Sequence, residues 1–212
     1  MIRVFLVDDH ALVRTGFRMI LARELDMEAV GEAGSGEDAL AAIRQLRPDV
    51  VVSDLHLPGM GGLELTERLL RGSAPPRIVI VSMQKDGPMP RRLLEAGASA
   101  YLSKDCPGEE LLSAIRSAAR GKRFVGRDIA QHLALAGIDR DASPFDALSP
   151  RELEIVGRLV RGQRMTDMAV ALNLSPKTVA THKYRLLTKL GVSDTVSLVR
   201  LAQQYGLVEP AL

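Results

Sequence analysis

Residues 1–9, Met1-Ile2-Arg3-Val4-Phe5-Leu6-Val7-Asp8-Asp9, open the chain with a short, β-branched and apolar run that stops at two carboxylates. The same arrangement returns at residues 50–54, where Val50-Val51-Val52-Ser53 leads into Asp54. Short apolar runs separated by stretches of helical periodicity are typical of βαβ units, which build a parallel sheet covered on both faces. We therefore predict an α/β fold for the first half of the chain.

Five such runs occur in the first half, and each is followed by a helix-like stretch. They predict a doubly wound, flavodoxin-like parallel sheet of five strands over residues 1–121. Residues 122–146 lose the alternation and are rich in turn-forming residues, so they are predicted to be a linker with a short helix near 129–135. The five predicted strands are residues 2–7, 28–33, 50–53, 78–82 and 100–103.

From Leu148 onward the pattern is purely helical. Ser149-Pro150-Arg151-Glu152 places Ser at an N-cap and Glu three residues later, which predicts a capping box at the start of a helix. Ser175-Pro176 gives a second start of this kind, before a helix that runs to Leu190. A short helix is predicted over about Thr166 to Leu172. This helix and the one that starts at Ser175 are joined by a tight turn, which predicts a helix-turn-helix. With a last helix at 194–205, residues 147–212 are predicted to form an all-α, four-helix domain.

The composition is that of an ordinary globular protein. Among 212 residues, 46% are hydrophobic and 25% are charged, which favours neither disorder nor a fibrous repeat. The single cysteine, Cys106, permits no internal disulfide and no cysteine-based metal cage, which fits a reducing compartment. No apolar run approaches the roughly 20 residues that cross a bilayer, and the start lacks a signal-peptide pattern. We expect a cytoplasmic protein with no membrane partner.

The net charge of +2 is unevenly divided. Residues 1–121 contain 15 Lys and Arg against 17 Asp and Glu, a net charge of −2, whereas residues 122–212 contain 13 against 9, a net charge of +4. An excess of positive charge favours polyanionic partners. The second half is therefore the predicted nucleic-acid binder.

Reactive side chains follow the predicted strands at their carboxyl ends, where open parallel sheets bind ligands. Three carboxylates at one edge repel each other unless a cation such as Mg²⁺ or a lysine balances them. A carboxylate beside Mg²⁺ can attack a phosphoryl group, while an ammonium group and a hydroxyl stabilise the phosphoryl oxygens. The residues at these strand ends are Asp8, Asp9, Asp54, Ser82 and Lys104.

The motifs around these positions resemble the receiver domain of two-component response regulators. The resemblance spans about residues 1–121 and implies that Asp54 is the phosphoacceptor of a sensor histidine kinase, with Lys104 beside it. One departure is Asp105 after Lys104, where many receivers have a cis-proline. The matching stretches are Val7-Asp8-Asp9, residues 53–62 (Ser-Asp-Leu-His-Leu-Pro-Gly-Met-Gly-Gly), Val81-Ser82 and residues 97–104 (Gly-Ala-Ser-Ala-Tyr-Leu-Ser-Lys).

The same resemblance implies a metal site and a switch. Mg²⁺ would be bound by Asp9, Asp54 and the backbone carbonyl of His56, with Asp8 acting through water. Ser82 and Tyr101 would be the switch pair, in which the hydroxyl moves toward the phosphoryl group and the ring turns inward. We expect the side chains of His10 and His56 to be structural or peripheral, because their spacing is not that of metal ligands.

The helix at 175–190 has one apolar face and one polar face. Its polar face, which includes Lys177, Thr181 and Tyr184, is predicted to enter a DNA major groove. Lys183, Arg185 and Lys189 beside that face are predicted to contact phosphates.

Residues 148–155 and 174–179, with Lys189-Leu190-Gly191-Val192, resemble the LuxR-type helix-turn-helix of NarL/FixJ response regulators. The GacA/UvrY subgroup of this family is resembled more narrowly by Phe145-Asp146-Ala147-Leu148-Ser149, Tyr184-Arg185, Asp194-Thr195-Val196 and Leu201-Ala202. The resemblance covers about residues 147–208. It implies that Ala180, Thr181 and Tyr184 contact DNA bases. Contacts with the DNA backbone would suit Lys177, Thr178, Lys183 and Arg185. Met165 departs from the common polar residue at its position, which puts a phosphate contact there in doubt.

The resemblance also makes the helix at 194–205 a dimerisation helix, although its apolar residues fit packing on the domain core equally well. A two-fold dimer would read an inverted repeat in double-stranded DNA.

These observations predict a transcription regulator switched by phosphorylation, which is not itself an enzyme. Three alternatives remain. A phosphatase with an aspartyl nucleophile usually has a second acid two residues later, where this chain has His56. An FMN carrier needs a phosphate-binding loop after strand one, where Asp8 and Asp9 repel phosphate. A DNA-binding protein that does not use phosphorylation is fully compatible with the sequence.

Overall fold

The computed structural model describes residues 1–85, 87–136, 143–172, 174–205 and 207, without the side chains of residues 135, 136 and 150. The chain divides into two compact units. The first consists of Met1–Lys85 and Met89–Gly137, and the second contains Ile138–Leu212. Residues 137–142 of the predicted linker and residues 208–212 of the predicted helical domain lie outside the described part of the chain.

The first unit is built on a parallel sheet in the order β2-β1-β3-β4-β5-β6. The five predicted strands are all present. The second and the fourth each begin one residue earlier than predicted, at Met27 and Arg77. The structure adds a sixth strand at the edge next to β5, so the five-strand prediction was one strand short. The strands are β1 (Ile2–Val7), β2 (Met27–Ala33), β3 (Val50–Ser53), β4 (Arg77–Ser82), β5 (Ala100–Ser103) and β6 (Phe124–Val125).

Helices cover both faces of this sheet, which confirms the doubly wound prediction. Side chains of α2, α3, α4 and α6 join one apolar cluster, and side chains of α1 and α5 join the other. Alternate residues of each strand point into opposite clusters, as the pleat requires; Val51 enters the first and Val52 the second. The helices are α1 (Ala11–Leu21), α2 (Gly36–Leu46), α3 (Gly62–Leu70), α4 (Pro88–Ala96), α5 (Gly108–Ala119) and α6 (Arg127–Ala136).

The start of the predicted linker is ordered structure. Phe124 and Val125 pair with Ala100 and Tyr101 as β6, and α6 packs against β5 with Ile129 fully buried. The helix predicted near 129–135 is therefore present and longer. The strand was missed because two residues give too short an apolar run to show any period. Residues 124–136 belong to the sheet unit rather than to a linker.

The second unit is helical. After a 3₁₀ turn at Pro144–Ala147 come α7 (Pro150–Val160), α8 (Met165–Ala171), α9 (Pro176–Leu190) and α10 (Thr195–Gln204). The predicted capping box is present, since Ser149 Oγ accepts from the Glu152 backbone N–H and the Glu152 carboxylate accepts from the Ser149 N–H. Of the helices described, none is long and apolar enough to cross a membrane.

All four helices and the turn before them contribute side chains to the core of this unit. Its fully buried side chains include Phe145, Ile155, Val179, Leu186 and Leu198. Ser175 caps α9 by accepting from Thr178 N–H at 3.1 Å, and Gly191 ends it in the left-handed conformation. This frame holds α9 with one face against α7 and α8 and leaves the other face open.

Candidate functional site

The sheet brings polar residues that are distant in sequence to one edge. Asp8, Asp54 and Lys104 each come directly after a strand, namely β1, β3 and β5. Because these strands run parallel within one sheet, their carboxyl ends lie at the same edge. Backbone hydrogen bonds continue one residue beyond the strands, with Asp54 N–H donating to Val7 and Lys104 N–H to Ser82, at 2.8 and 2.9 Å.

Lys104 joins two of the carboxylates. Its Nζ lies 2.8 Å from Asp54 Oδ2 and 2.7 Å from Asp8 Oδ2. The carboxylates are deeply buried, with side-chain exposures of 5% for Asp54 and 1% for Asp8. Burial alone would lower the pKa of Lys104, but the hydrogen bond to Asp54 and the charge of both aspartates raise it above its ordinary value. The ammonium group therefore stays protonated and holds the site together.

The pocket has more negative than positive charge and oxygen ligands for a hard cation. Ligand atoms of Asp8, Asp9, His10 and Asp54 lie within 4.8 Å of one another. Asp8 Oδ2 is buried and, despite its ion pair with Lys104, accepts no hydrogen bond of good geometry. Carboxylate oxygens are the ligands that Mg²⁺ prefers, and its charge would offset the repulsion that one lysine leaves. The residues present therefore fit Mg²⁺.

Histidine 10 is closer to the carboxylates than the sequence suggested. Its Nδ1 lies 2.7 Å from Asp9 Oδ1 and 3.3 Å from Asp8 Oδ1, and its backbone N–H donates to Asp8 Oδ1 at 2.9 Å. The His56 side chain is exposed and is not part of this group of ligand atoms.

Ser82 and Tyr101 flank the pocket on β4 and β5. Both are completely buried. Ser82 Oγ accepts from the Gln84 N–H at 3.2 Å, and the Tyr101 hydroxyl donates to the Gln84 carbonyl at 2.7 Å. The serine and the tyrosine thus share Gln84 of the loop after β4, with the ring already inside the protein.

The next residue of that loop is also tied to its surroundings. Lys85 Nζ lies 3.0 Å from Asp105 Oδ2 and 3.4 Å from Asp128 Oδ2 on α6. The hydrogen bond to Asp105 is the main reason why the pKa of Lys85 is raised. The loop after β4 is therefore joined to the loop after β5 and to α6.

In the second unit, α9 has the predicted division of faces. Val179, Leu186 and Leu190 are buried, whereas Tyr184 is 75% exposed. Of the residues predicted to contact DNA, Thr178 and Lys183 are half-buried. The Thr178 hydroxyl lies 2.8 Å from that of the capping Ser175. The exposed ones are Lys177, Ala180, Thr181, Tyr184 and Arg185.

Lys189 is less available for a phosphate than predicted. Its Nζ lies 2.7 Å from Oε2 of Glu152, the buried capping-box residue of α7. The salt bridge ties the end of α9 to the start of α7. Burial alone would raise the pKa of Glu152, but hydrogen bonds from Lys189 and Ser149 lower it. Glu152 therefore remains ionised and structural.

Two known families account for the two units. The profile of the response regulator receiver domain matches residues 4–116, and that of bacterial regulatory proteins of the luxR family matches residues 146–202. The chain belongs to the response regulators. It combines their receiver domain with a luxR-type DNA-binding domain.

Curated relatives resemble this response regulator along its whole length. Response regulator UvrY of Escherichia coli strain K12 is 44% identical over 209 residues, which is 98% of this chain and 96% of UvrY. Response regulator GacA of Pseudomonas aeruginosa strain PAO1 is 42% identical over 213 residues, which covers both chains completely. The expected similarity to the GacA/UvrY subgroup is confirmed.

Solved structures agree with the fold. The response regulator ChrA of a heme-sensing two-component system is 34% identical and covers 98% of each chain, with a TM-score of 0.56. RcsB of Salmonella typhimurium covers 96% of this chain and 98% of its own at a TM-score of 0.74, but it is 23% identical and supports the fold alone.

Sequence reasoning missed two residues that support the acidic pocket of this response regulator. Arg14 on α1 donates to the Asp8 carbonyl at 2.6 Å and pairs with Glu32. Glu37 on α2 accepts from the Met60 N–H at 2.9 Å, in the loop after Asp54. Neither position carries a sequence signal, because each contact depends on how helices pack beside the sheet.

Proposed function

We propose that Asp54 accepts a phosphoryl group from a sensor histidine kinase and that this modification promotes dimerisation and sequence-specific DNA binding through α9, which regulates transcription. The observation that carries the proposal is the salt bridge of Lys104 with both buried carboxylates, Asp54 and Asp8, at the carboxyl edge of a receiver sheet. The protein would act as a two-component switch rather than as an enzyme with its own substrate.

The geometry suits a nucleophilic carboxylate. Lys104 Nζ lies 2.8 Å from Asp54 Oδ2, where its charge can stabilise the incoming phosphoryl oxygens. A carboxylate oxygen of Asp54 can then attack phosphorus while the bond to the kinase imidazole breaks and the imidazole leaves. The product is an acyl phosphate on Asp54, whose new oxygens can pair with Lys104 and accept from the Ser82 hydroxyl. Asp8, Asp9, Asp54 and the His56 carbonyl would hold Mg²⁺, with Asp8 acting through water, and the ion would neutralise charge on the phosphoryl group.

A change at Ser82 would reach beyond the pocket through Gln84. Ser82 accepts from the Gln84 N–H, and the Gln84 carbonyl accepts from Tyr101. If Ser82 turns toward a phosphoryl oxygen, it gives up the Gln84 N–H and releases the loop that also binds Tyr101. Ser82 and Tyr101 are therefore proposed as the switch pair, and the loop after β4 as the segment that moves.

The exposed face of α9 suits a DNA major groove. Ala180, Thr181 and Tyr184 are proposed to contact bases, and Lys177 and Arg185 to contact phosphates, with half-buried Thr178 and Lys183 at the margins. One structure of RcsB shows it bound to a promoter in the presence of the phosphomimetic BeF₃⁻, and another shows RcsB dimers on DNA. We propose the same behaviour here, with a homodimer on an inverted repeat.

The last helix, α10, serves the core of its own unit and leaves one apolar residue outside. Leu198 and Ala202 are completely buried, whereas Val196 is 65% exposed. The buried side of α10 thus packs on the core of its own domain. Its exposed side is the proposed dimer contact.

Beryllofluoride and Mg²⁺, or acetyl phosphate and Mg²⁺, test the proposal on the full chain. Mass spectrometry measures the adduct, light scattering measures the oligomeric state, and binding to a pool of random double-stranded DNA followed by sequencing identifies the site. We expect an adduct that requires both Mg²⁺ and Asp54, together with dimers that select an inverted repeat.

Asp54→Asn is the matched control, because it keeps the size of the side chain and removes the nucleophile. It should form no adduct and should not respond to acetyl phosphate. If the wild-type protein forms no adduct and binds the same DNA equally well without a phosphodonor, DNA binding independent of phosphorylation replaces the proposal.

A further inference from the structure

The loop between β3 and α3, residues 54–61, has an anchor at each end. At its start, the Asp54 N–H donates to Val7 and the Gly62 N–H donates back to Leu55, both at 2.8 Å. Near its end, the Met60 N–H donates to Glu37 Oε1 at 2.9 Å. His56, which would offer its carbonyl to Mg²⁺, lies between these anchors.

Glycines let the loop lie directly against α2. A Cβ on Gly59 would lie 2.5 Å from Glu37 Oε1 and 2.9 Å from Oε2, and Gly59 adopts a φ of +69° that favours glycine. A Cβ on Gly36 would lie 2.3 Å from the Met60 carbonyl oxygen. The Glu37 carboxylate therefore covers the turn at Gly59, and the backbone of α2 touches the same turn.

The N-terminal cap of α2 is formed without Glu37. The start of α2 is capped by Ser35, whose hydroxyl accepts from the Asp38 N–H and donates to the Asp38 carboxylate. The neighbouring acid thus completes the local cap, and Glu37 is left to bind the loop. Its target lies 23 positions away in sequence.

We propose that Glu37 is a positioning residue that holds the β3–α3 loop, and with it the His56 carbonyl, in the conformation that binds the divalent cation. Glu37 touches neither the metal nor the phosphoryl group. It acts through the Met60 N–H and the Gly59 turn, as residues outside the ligand set commonly orient the ligands themselves. This inference rests on the proposed function, since it assumes that the pocket binds Mg²⁺.

Calorimetric titration of the full chain with MgCl₂ tests the role of Glu37 without any phosphodonor. Glu37→Ala removes the acceptor and should raise the Kd for Mg²⁺ about fivefold or more. Glu37→Gln keeps an oxygen that accepts from Met60 and should stay within about twofold of the wild type. Asp38→Asn removes a charge from the same turn of α2 and should also change the Kd by no more than about twofold.

A second readout separates positioning from simple destabilisation. In acetyl phosphate reactions, Glu37→Ala should need more Mg²⁺ for half-maximal adduct formation and should recover the wild-type rate at saturating Mg²⁺. Circular dichroism in EDTA checks that the variant is folded. Should it not fold, Glu37→Leu replaces it, because leucine keeps bulk beside the Gly59 turn, also removes the acceptor of the Met60 N–H and should raise the Kd in the same way.

Equal Mg²⁺ affinity of Glu37→Ala and the wild type overturns the inference, and so does a Glu37→Gln variant as weak as Glu37→Ala, which would show an effect of charge alone. A wild-type protein that binds no Mg²⁺ instead contradicts the proposed pocket itself. The two failures are therefore distinguishable.

Discussion

The acidic pocket and the surface of α9 are built in opposite ways. The pocket collects buried groups from separate strand ends: Asp8 and Asp54 lie 46 positions apart and both contact Lys104, 50 positions beyond Asp54. The α9 surface takes neighbouring residues from a single helix, and its largest side chain, Tyr184, is 75% exposed. One site depends on sheet topology and the other on helical periodicity.

This difference decides how each site responds to change. In the pocket, Lys104 lies against two buried carboxylates, so its removal leaves them without compensation, whereas removal of one carboxylate relieves repulsion. On α9 the side chains face water, and their removal affects the complex with DNA rather than the folded protein. We therefore expect coupled effects on stability and chemistry in the first unit and separable effects on binding in the second.

The largest predicted effect on stability follows from Lys104→Met. Loss of the ammonium group leaves Asp8 and Asp54 facing each other without a cation, which should lower the free energy of unfolding by about 2 kcal/mol in EDTA, less than for a fully enclosed pair because the pocket opens to solvent. Urea denaturation at neutral pH measures the loss. Asp54→Asn is the control, since it removes a repelling charge and should cost much less. Equal stability of Lys104→Met and the wild type would refute the comparison.

On α9, Tyr184→Ala should reduce affinity for the selected operator about tenfold and leave affinity for unrelated DNA unchanged. The physical reason is that a base contact carries sequence information, whereas phosphate contacts do not. Fluorescence anisotropy with both DNAs, at one fixed salt concentration, measures the ratio. An equal loss of affinity for both DNAs would mean that Tyr184 contacts the DNA backbone and not a base.

Glu152→Gln tests a buried charge of the helical unit and should cost about 1 kcal/mol at pH 7 through the cap and the Lys189 contact. Because hydrogen bonds lower the pKa of Glu152 in the folded state, its stabilisation is present above the unfolded-state pKa of about 4.3 and is lost as the pH falls through the folded value. Urea denaturation at pH 7 and at about pH 3 measures the free energy of unfolding. The difference between the variant and the wild type should be smaller at the lower pH. Asp167→Asn, an exposed change on α8, should be neutral at both.

The smallest effect is expected for Lys177→Ala. A phosphate contact contributes equally on every sequence, so affinity should fall modestly for operator and unrelated DNA alike, and the slope of log affinity against log salt should decrease by about 1. Binding measured over a range of salt concentrations, for the variant and the wild type, gives the two slopes. An unchanged slope would mean that Lys177 makes no phosphate contact.

Much of the molecule was predictable from local pattern. The first five strands, the capping box of Ser149 and Glu152 and the two faces of α9 depend on periodicity and capping, which are recognised within a few residues. The missed parts depend on distant contacts. Strand β6 exists because Phe124 and Val125 pair with β5, and the salt bridge of Lys189 joins it to Glu152, 37 positions away.

The sequence by itself determined the two domain types, the family and the residues at the strand ends, because strand ends and helix caps are marked by residue type. Only the tertiary structure decided that Lys104 bridges Asp8 and Asp54, that Tyr101 reaches Gln84 and that Glu37 holds the β3–α3 loop. These contacts depend on the packing of helices and on neighbouring strands that are far apart in the chain. Such distances follow from the assembled sheet, and no local pattern contains them.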